Sequence, residues 1–432
     1  MAQDQARNED FRLLRSGLPE RAARAREARL RRDFCLTRED VMGLVRAEWP
    51  EFGPAELDAL VGRGRLDWRL VDGEQRFLRS CVDSLRLYPA EVPGLSCSPA
   101  DRTAQLAVIE EMRREGAAER RIRLRHLIRA GAGVEVAAGS TVRAWLPLPS
   151  GPQVADVRIV DVTPGMVAAP EDAPQRTAFW ETGGVREFFV EYEYLIRAPY
   201  VDLWVPEPVP AALDARFRPA PAPCAADLAE EEPHLAFTPY LRRLASRVFD
   251  GIPEKDALAR ARAAYDWVTR NVDYRFQPAY LLLDSIADGC AHSLRADCGV
   301  FALTFIALCR LGGVPARWQS GLYVTPQSAG AHDWAQFYIA PYGWLWADCS
   351  FGSGAHRVGN ETRRRHYFGN LDPLRMVANR EFYAQLTPPD EQLRNDPYDN
   401  QTGEANLNGR PLHGEELPRS RTVVGFTYDA PV

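Results

Sequence analysis

Lysine is nearly missing from this chain: of its 53 basic residues only Lys255 is lysine, and the rest are arginine. That scarcity excludes a glycine-rich phosphate loop, which needs a lysine at its end, and a protein that serves as its own lysine cross-linking substrate. The arginine bias reads as the codon usage of a GC-rich genome, because no single site could require it. Long apolar runs are missing too, and none approaches the roughly 18–20 residues that cross a bilayer. The opening residues, Met1-Ala-Gln-Asp-Gln-Ala-Arg7, lack the charged-then-apolar order of a signal peptide. A soluble cytoplasmic protein with no membrane partner is therefore expected. Cysteine is sparse, with residues 35, 81, 97, 224, 290, 298, 309 and 349 spread over 432 positions. That density rules out a disulfide framework and makes a buried thiol the default for each one. A net charge of −6 argues against nucleic acid as a partner.

What is present is ordinary globular material, 46% hydrophobic and 26% charged, and long enough for two or three domains. Residues 1–95 read as a mostly helical domain. Thr37-Arg-Glu-Asp40 has the layout of a capping box before Val41, Leu44 and Val45. A second short helix runs through Ala55, Leu57, Leu60 and Val61, and Asp72-Gly73 marks a hairpin after Trp68 and Leu70. Two helices plus a hairpin loosely resemble a winged helix, although packing or docking is the expected role. Residues 118–202 change to a period of two: Ile122, Leu124, His126 and Ile128, then Val142 to Leu148, then Phe188 to Tyr194. Such runs predict a small β-sandwich, with His126 as a core histidine. Residues 203–239 carry eight prolines and Glu230-Glu-Glu232, the composition of a stiff linker. Residues 240–385 form the unit that carries the chemistry, and 386–432 read as an extended, loop-like tail that borders the site.

The chemistry rests on three positions. Asp297 is placed to cap a helix running from Cys298 through Gly299-Val-Phe-Ala to Leu311, stopped by Gly312-Gly313. A cysteine in the first turn sees the positive end of the helix dipole, which favours thiolate, and the free N–H groups there can receive an oxyanion. Cys309, inside the same helix, is an ordinary buried thiol. His332 opens a strand to Ile339, and Trp344-Leu-Trp-Ala-Asp348 follows the Pro341-Tyr342-Gly343 turn. A hairpin register centred on Ala340 sets His332 opposite Asp348 on one face, and a one-residue slip would part them. His332 then serves as base for the thiol and later acid for the leaving amine, with Asp348 orienting the imidazole. Trp334 beside His332 could shield the ring. Cys290 and His292 lack a fourth ligand at zinc spacing, so no metal and no cofactor is expected. Arg317 reads as a structural ion-pair partner.

Asp297-Cys298, Ala302, Gly313-Val-Pro-Ala-Arg317, Gly321, His332-Asp-Trp334, Gly343-Trp344 and Asp348 together resemble the signature of the transglutaminase-like superfamily, in the bacterial branch similar to papain-type cysteine proteases. The resemblance covers roughly residues 240–352. It implies an α+β fold: a cysteine-protease-type core of helices packed on an antiparallel sheet, preceded here by the β-sandwich and the N-terminal helical domain. It also implies Cys298, His332 and Asp348 as a triad acting on a protein or peptide amide. An upstream side chain often completes the oxyanion hole in this family. Gln277 and Tyr274 are the two favoured choices, and Trp267, inside a helix, is better read as core.

Overall fold

The computed structural model describes residues 20–96, 103–205, 220–390, 392, 394 and 398–427. The described residues open with three helices, α1 (Glu20–Asp33), α2 (Arg38–Arg46) and α3 (Pro54–Gly62), then the hairpin β1 (Trp68–Val71) and β2 (Glu74–Phe77), then α4 (Cys81–Leu85). Helix α2 starts where the sequence places it. The Thr37 hydroxyl accepts the Asp40 N–H at 3.0 Å, and the Asp40 carboxylate accepts the Thr37 N–H at 2.8 Å. Asp72 and Gly73 both have positive φ (54° and 80°), the turn that two-residue hairpins favour. Phe34, Val41, Val45, Leu57, Leu60 and Phe77 pack together in this unit, and Leu282 from farther along the chain joins them. The unit also grips the segment around Tyr274: the Tyr88 hydroxyl donates to the Tyr274 carbonyl at 2.8 Å, and Asp33 accepts the Ala279 N–H at 2.7 Å.

After α5 (Thr103–Glu115) come β3 (Ala117–Arg129), β4 (Thr141–Pro147), β5 (Val154–Val162), β6 (Val167–Ala168), β7 (Thr177–Gly183) and β8 (Glu187–Pro199). They form two layers, one holding β3, β8 and β5 and the other β4, β7 and β6. The period of two has its physical cause in that layering: alternate residues of β3, including Ile122, Leu124, His126 and Ile128, are buried between the sheets. Among the described residues His126 has no hydrogen-bond partner on either ring nitrogen, and burial holds its pKa down at about 3, so the ring is neutral.

The next unit runs through α6 (Pro239–Val248), α7 (Ala257–Asn271), β9 (Asp273–Tyr274), α8 (Ile286–Ser293), β10 (Arg295–Ala296), α9 (Cys298–Leu311), β11 (Ala316–Thr325), β12 (Ser328–Ile339), β13 (Gly343–Ala347), α10 (Cys349–Arg357), α11 (Glu361–His366), β14 (Phe368–Gly369) and β15 (Arg375–Asn379). Five strands make an antiparallel sheet in the order β14-β13-β12-β11-β15. Helix α9 is buried from Gly299 to Arg310, and Phe301, Phe305 and Ile306 share a core with Trp318, Ala335 and Phe337 of the sheet. Trp334, Trp346 and Met376 instead join the sandwich residues Ile122, Leu124 and Tyr192. The sheet is thus buried on both faces. The hairpin of β12 and β13 pairs Ile339 with Gly343 and Ala335 with Ala347, so it is centred on Pro341 rather than on Ala340. Moving the centre by one residue changes each partner by two, which keeps His332 and the end of β13 on the same face.

Two expectations about the connecting segments change. Of the expected 203–239 linker, residues 206–219 lie outside the described residues; the part that follows is packed on the core rather than hanging as a spacer. The Trp344 indole donates to the Pro221 carbonyl at 2.7 Å, Arg310 pairs with Glu231 at 2.7 Å, and Leu235 is buried. The 386–432 region is not an extended tail. It contains β16 (Glu404–Leu407), β17 (Arg410–Pro411) and β18 (Arg419–Thr427), and these complete both layers of the sandwich, β16 against β4 and β18 against β3. The edge strand β18 is polar and half-exposed and so carries little apolar alternation, whereas β16, Glu-Ala-Asn-Leu, is buried between β17 and β4 but too short and polar to show a period.

Candidate active site

Cys298 sits half-buried in the first turn of α9. Asp297 caps the helix, its carboxylate accepting the Val300 N–H at 3.1 Å and the Tyr280 hydroxyl at 2.5 Å. The two-residue parallel pairing of β9 with β10 sets Tyr274 against Ala296, just ahead of the cysteine. Gly299 is needed for space: a Cβ there would come within 2.2 Å of the Tyr280 hydroxyl and 2.8 Å of an Asp333 carboxylate oxygen. Tyr280 and Asp333 therefore crowd directly over the first turn.

The thiol does not behave as the helix dipole alone predicts. Its Sγ donates to Asp333 Oδ2 at 3.2 Å. Burial pushes the thiol well above its ordinary pKa, and the nearby Asp333 and Asp297 carboxylates push it further. The dipole contributes only about 0.3–1 kcal/mol, which a buried like-charge neighbour outweighs. Cys298 is held as a protonated thiol in this arrangement. The Tyr274 and Tyr280 hydroxyls are likewise held neutral, by burial first and then by Cys298, Asp297 and Asp333.

His332 and Asp348 are together. The His332 Nε2 lies 2.7 Å from Asp348 Oδ2, with the histidine 5% exposed and the aspartate fully buried. Asp348 also accepts the Phe351 N–H and the Ser350 hydroxyl, each at 3.0 Å, and the Arg375 guanidinium at 2.9 Å. Burial alone would raise this carboxyl; His332, Arg375 and the Phe351 N–H together hold it below the usual carboxylate range. The imidazole is walled by Phe351 at 4.6 Å between ring centroids and by Trp334 at 5.9 Å. With Nε2 committed to Asp348, Nδ1 carries no hydrogen bond among the described residues.

His332 and Cys298 are not bonded to each other. Neighbouring side chains on a strand project to opposite sides, and it is Asp333, not His332, that meets the sulfur. Of the two favoured oxyanion residues, Tyr274 lies in the electrostatic neighbourhood of Cys298, whereas the Gln277 amide turns back onto the Arg275 carbonyl at 3.1 Å. Trp267 is partly buried against the core. Cys290 is buried, its thiol pushed up to about 12, while His292 stacks on Tyr240 at the surface. Among the described residues Arg317 makes no ion pair; it donates to Gln336 at 3.0 Å and stacks on Trp344 at 3.8 Å. Sequence reasoning missed four contributors: Asp333, Tyr280, Arg375 and Gln401. The Gln401 amide donates to Asp333 Oδ1 at 2.6 Å and to the His332 carbonyl at 3.0 Å. Only Asp333 carried a signal, as the acid beside the key histidine.

No helix among the described residues is long and apolar enough to cross a membrane. No curated protein matches the sequence. Among solved structures, a candidate cysteine protease from Cytophaga hutchinsonii shares 14% identity, covers 73% of this chain and 93% of its own, and superposes with a TM-score of 0.41. The periplasmic domain of TgpA from Pseudomonas aeruginosa shares 13% identity over 60% of this chain and 96% of its own, with a TM-score of 0.27. The family model of the transglutaminase-like superfamily matches residues 243–349, a span that contains Cys298, His332 and Asp348. Residues 243–349 are thus a transglutaminase-like domain within the longer chain.

Proposed function

We propose that the protein is a cysteine-dependent acyl enzyme that attacks a peptide or glutamine-type amide through a thioester on Cys298, with water as the final acceptor. The observation that supports this reading most is the buried His332–Asp348 pair, whose carboxylate fixes Nε2 and leaves Nδ1 without a partner among the described residues. In the reaction the S–H leaves Asp333 and gives its proton to Nδ1 as sulfur bonds the amide carbon. Helix N–H groups at the start of α9, with Tyr274, receive the oxyanion. The imidazolium returns its proton to the departing amine as the C–N bond breaks. Water, deprotonated by the same ring, then opens the thioester and regenerates the thiol. Catalytic contacts of this kind often tighten only when substrate is bound, and the reaction requires a rearrangement that brings the sulfur from Asp333 to Nδ1.

The test uses the full chain, a glutamine-containing peptide and a labelled amine, followed by mass spectrometry. Cleavage or deamidation that vanishes in Cys298→Ala and His332→Ala is expected. Amine incorporation instead of hydrolysis would reassign the acceptor, since the two outcomes share the thioester and differ in water access. One observation favours a second reading, a binding protein on the same fold: the thiol is bonded to a carboxylate rather than to the imidazole. Wild-type protein that leaves peptide and amine untouched would establish that reading in place of the first.

A further inference from the structure

We infer that Asp333 is a positioning residue that parks the Cys298 thiol away from the imidazole, and that Gln401, from the segment leading into β16, holds the Asp333 carboxylate in that post. The inference rests on Cys298 being the nucleophile, and it adds a control element to that site.

The carboxylate of Asp333 divides its two oxygens: Oδ2 takes the S–H of Cys298 and Oδ1 takes the Gln401 amide. Gln401 uses the same nitrogen on the His332 carbonyl, so one side chain fixes two consecutive residues of β12. The post is built and not incidental. Ser320, the cross-strand partner of Asp333, donates to Asp399 at 2.7 Å, so residues 399–401 lie along the sheet face that adjoins the sulfur. The segment is anchored at its base. Arg394, nearly fully buried, donates to the Asp399 carbonyl at 2.9 Å, to Gln175 of the sandwich at 3.1 Å and to Glu404 at 3.1 Å. Asn400 accepts the Gly403 N–H at 2.9 Å, and its own N–H reaches Asn379 at 3.3 Å.

Charged and titratable groups face the sulfur from every side that packs on it. Asp333 comes from β12, Asp297 precedes α9, and Tyr274 and Tyr280 come from the segment between α7 and α8. None of these is a cation. Ionising the sulfur beside Asp333 sets two negative charges about one hydrogen-bond length apart, so the thiol keeps its proton while the carboxylate stays in place. A substrate or partner that draws off residues 399–403 removes the Gln401 bonds, lets Asp333 turn away and frees the sulfur of its carboxylate partner. The C-terminal segment thereby couples the state of the sandwich to the reactivity of the cysteine.

Iodoacetamide alkylation of the residue-298 peptide, followed by mass spectrometry across pH 5–10 with Cys298→Ala as blank, reads the sulfur without any substrate. Asp333→Asn keeps the shape and removes the charge; its alkylation midpoint is expected to move to lower pH, with a rate at pH 7 roughly tenfold or more above wild type. Gln401→Ala loosens the carboxylate and is expected to move the midpoint the same way by a smaller amount. A midpoint that stays or rises in Asp333→Asn, in protein with wild-type circular dichroism and melting temperature, overturns the proposal. If Asp333→Asn does not fold, an unmoved midpoint in Gln401→Ala overturns it equally. The result is separable from the proposed reaction: a shifted midpoint without amide turnover keeps the parking site and removes the hydrolase, and turnover with an unmoved midpoint does the reverse.

Discussion

Arg375→Met is the sharpest probe of the buried network behind the imidazole. Arg375 is fully buried, 2.9 Å from Asp348 and 3.2 Å from Asp372, with its guanidinium 4.7 Å from the centre of the Tyr323 ring and 4.8 Å from that of Phe351. Methionine fills much of the same volume but strands two carboxylates. Removing one partner of a buried ion pair costs about 3–5 kcal/mol, and each kcal/mol lowers the melting temperature of a unit this size by about 2–4 °C. A loss of about 6–20 °C by differential scanning calorimetry is expected on that basis. Adding Asp372→Asn to Arg375→Met is expected to recover part of it, because one of the stranded charges goes. The pH dependence carries a sign. In the wild type the folded Asp348 carboxyl lies below its unfolded value, so its contribution is present above about pH 4 and fades as acid protonates it. In the variant the stranded carboxyls are relieved by protonation, so the gap to wild type narrows below about pH 4. A loss under about 1 kcal/mol, or a gap that widens in acid, would refute the assignment of Arg375 as the cation that makes this buried pair tolerable.

Gly299→Ala is expected to cost about 1–3 kcal/mol by overpacking, since its Cβ would enter the space of Tyr280 and Asp333; thermal melting together with Cys298 labelling checks it. His126 has a folded pKa of about 3, so its stabilising effect is complete above the unfolded value and is lost as pH falls from about 6.5 towards 3, at up to about 1.4 kcal/mol per pH unit. His126→Leu is therefore expected to flatten the acid limb of a urea-stability profile between pH 6 and 4, and an unchanged slope would contradict the neutral, unpartnered ring. Deleting residues 404–427 uncovers the paired edges of β3 and β4, and aggregation on size-exclusion chromatography is the expected result.

Helix α9 was legible from residue types alone. An aspartate cap, an unbroken apolar stretch and a glycine pair mark both ends, and the helix runs from Cys298 to Leu311. The approach of His332 to Asp348 was legible for a sturdier reason: parity along a strand survives a turn centre displaced by one residue. The identity of the residue that meets the sulfur was not. His332, Asp333, Trp334, Ala335, Gln336 and Phe337 are all buried, so β12 lacks the alternation of polar and apolar residues that would tell which side α9 occupies. Arg375 and Gln401 lie 27 and 53 positions beyond Asp348 and carry no local pattern. Residues 404–427 escaped because β18 is an edge strand whose solvated, polar face mimics loop composition, and buried β16 and its neighbour β17 span only four and two residues.

The pairing of β18 with β3 fixes the order in which this protein can mature. Leu124 and its partner Val423 lie 299 positions apart, so a ribosome releases the first layer of the sandwich long before its closing strand exists. Until then a long ladder of unmet amides waits in the open, a template for any neighbouring nascent chain. Synthesis of the cysteine-bearing unit falls inside that interval, and Gln401 and β18 arrive together at its close.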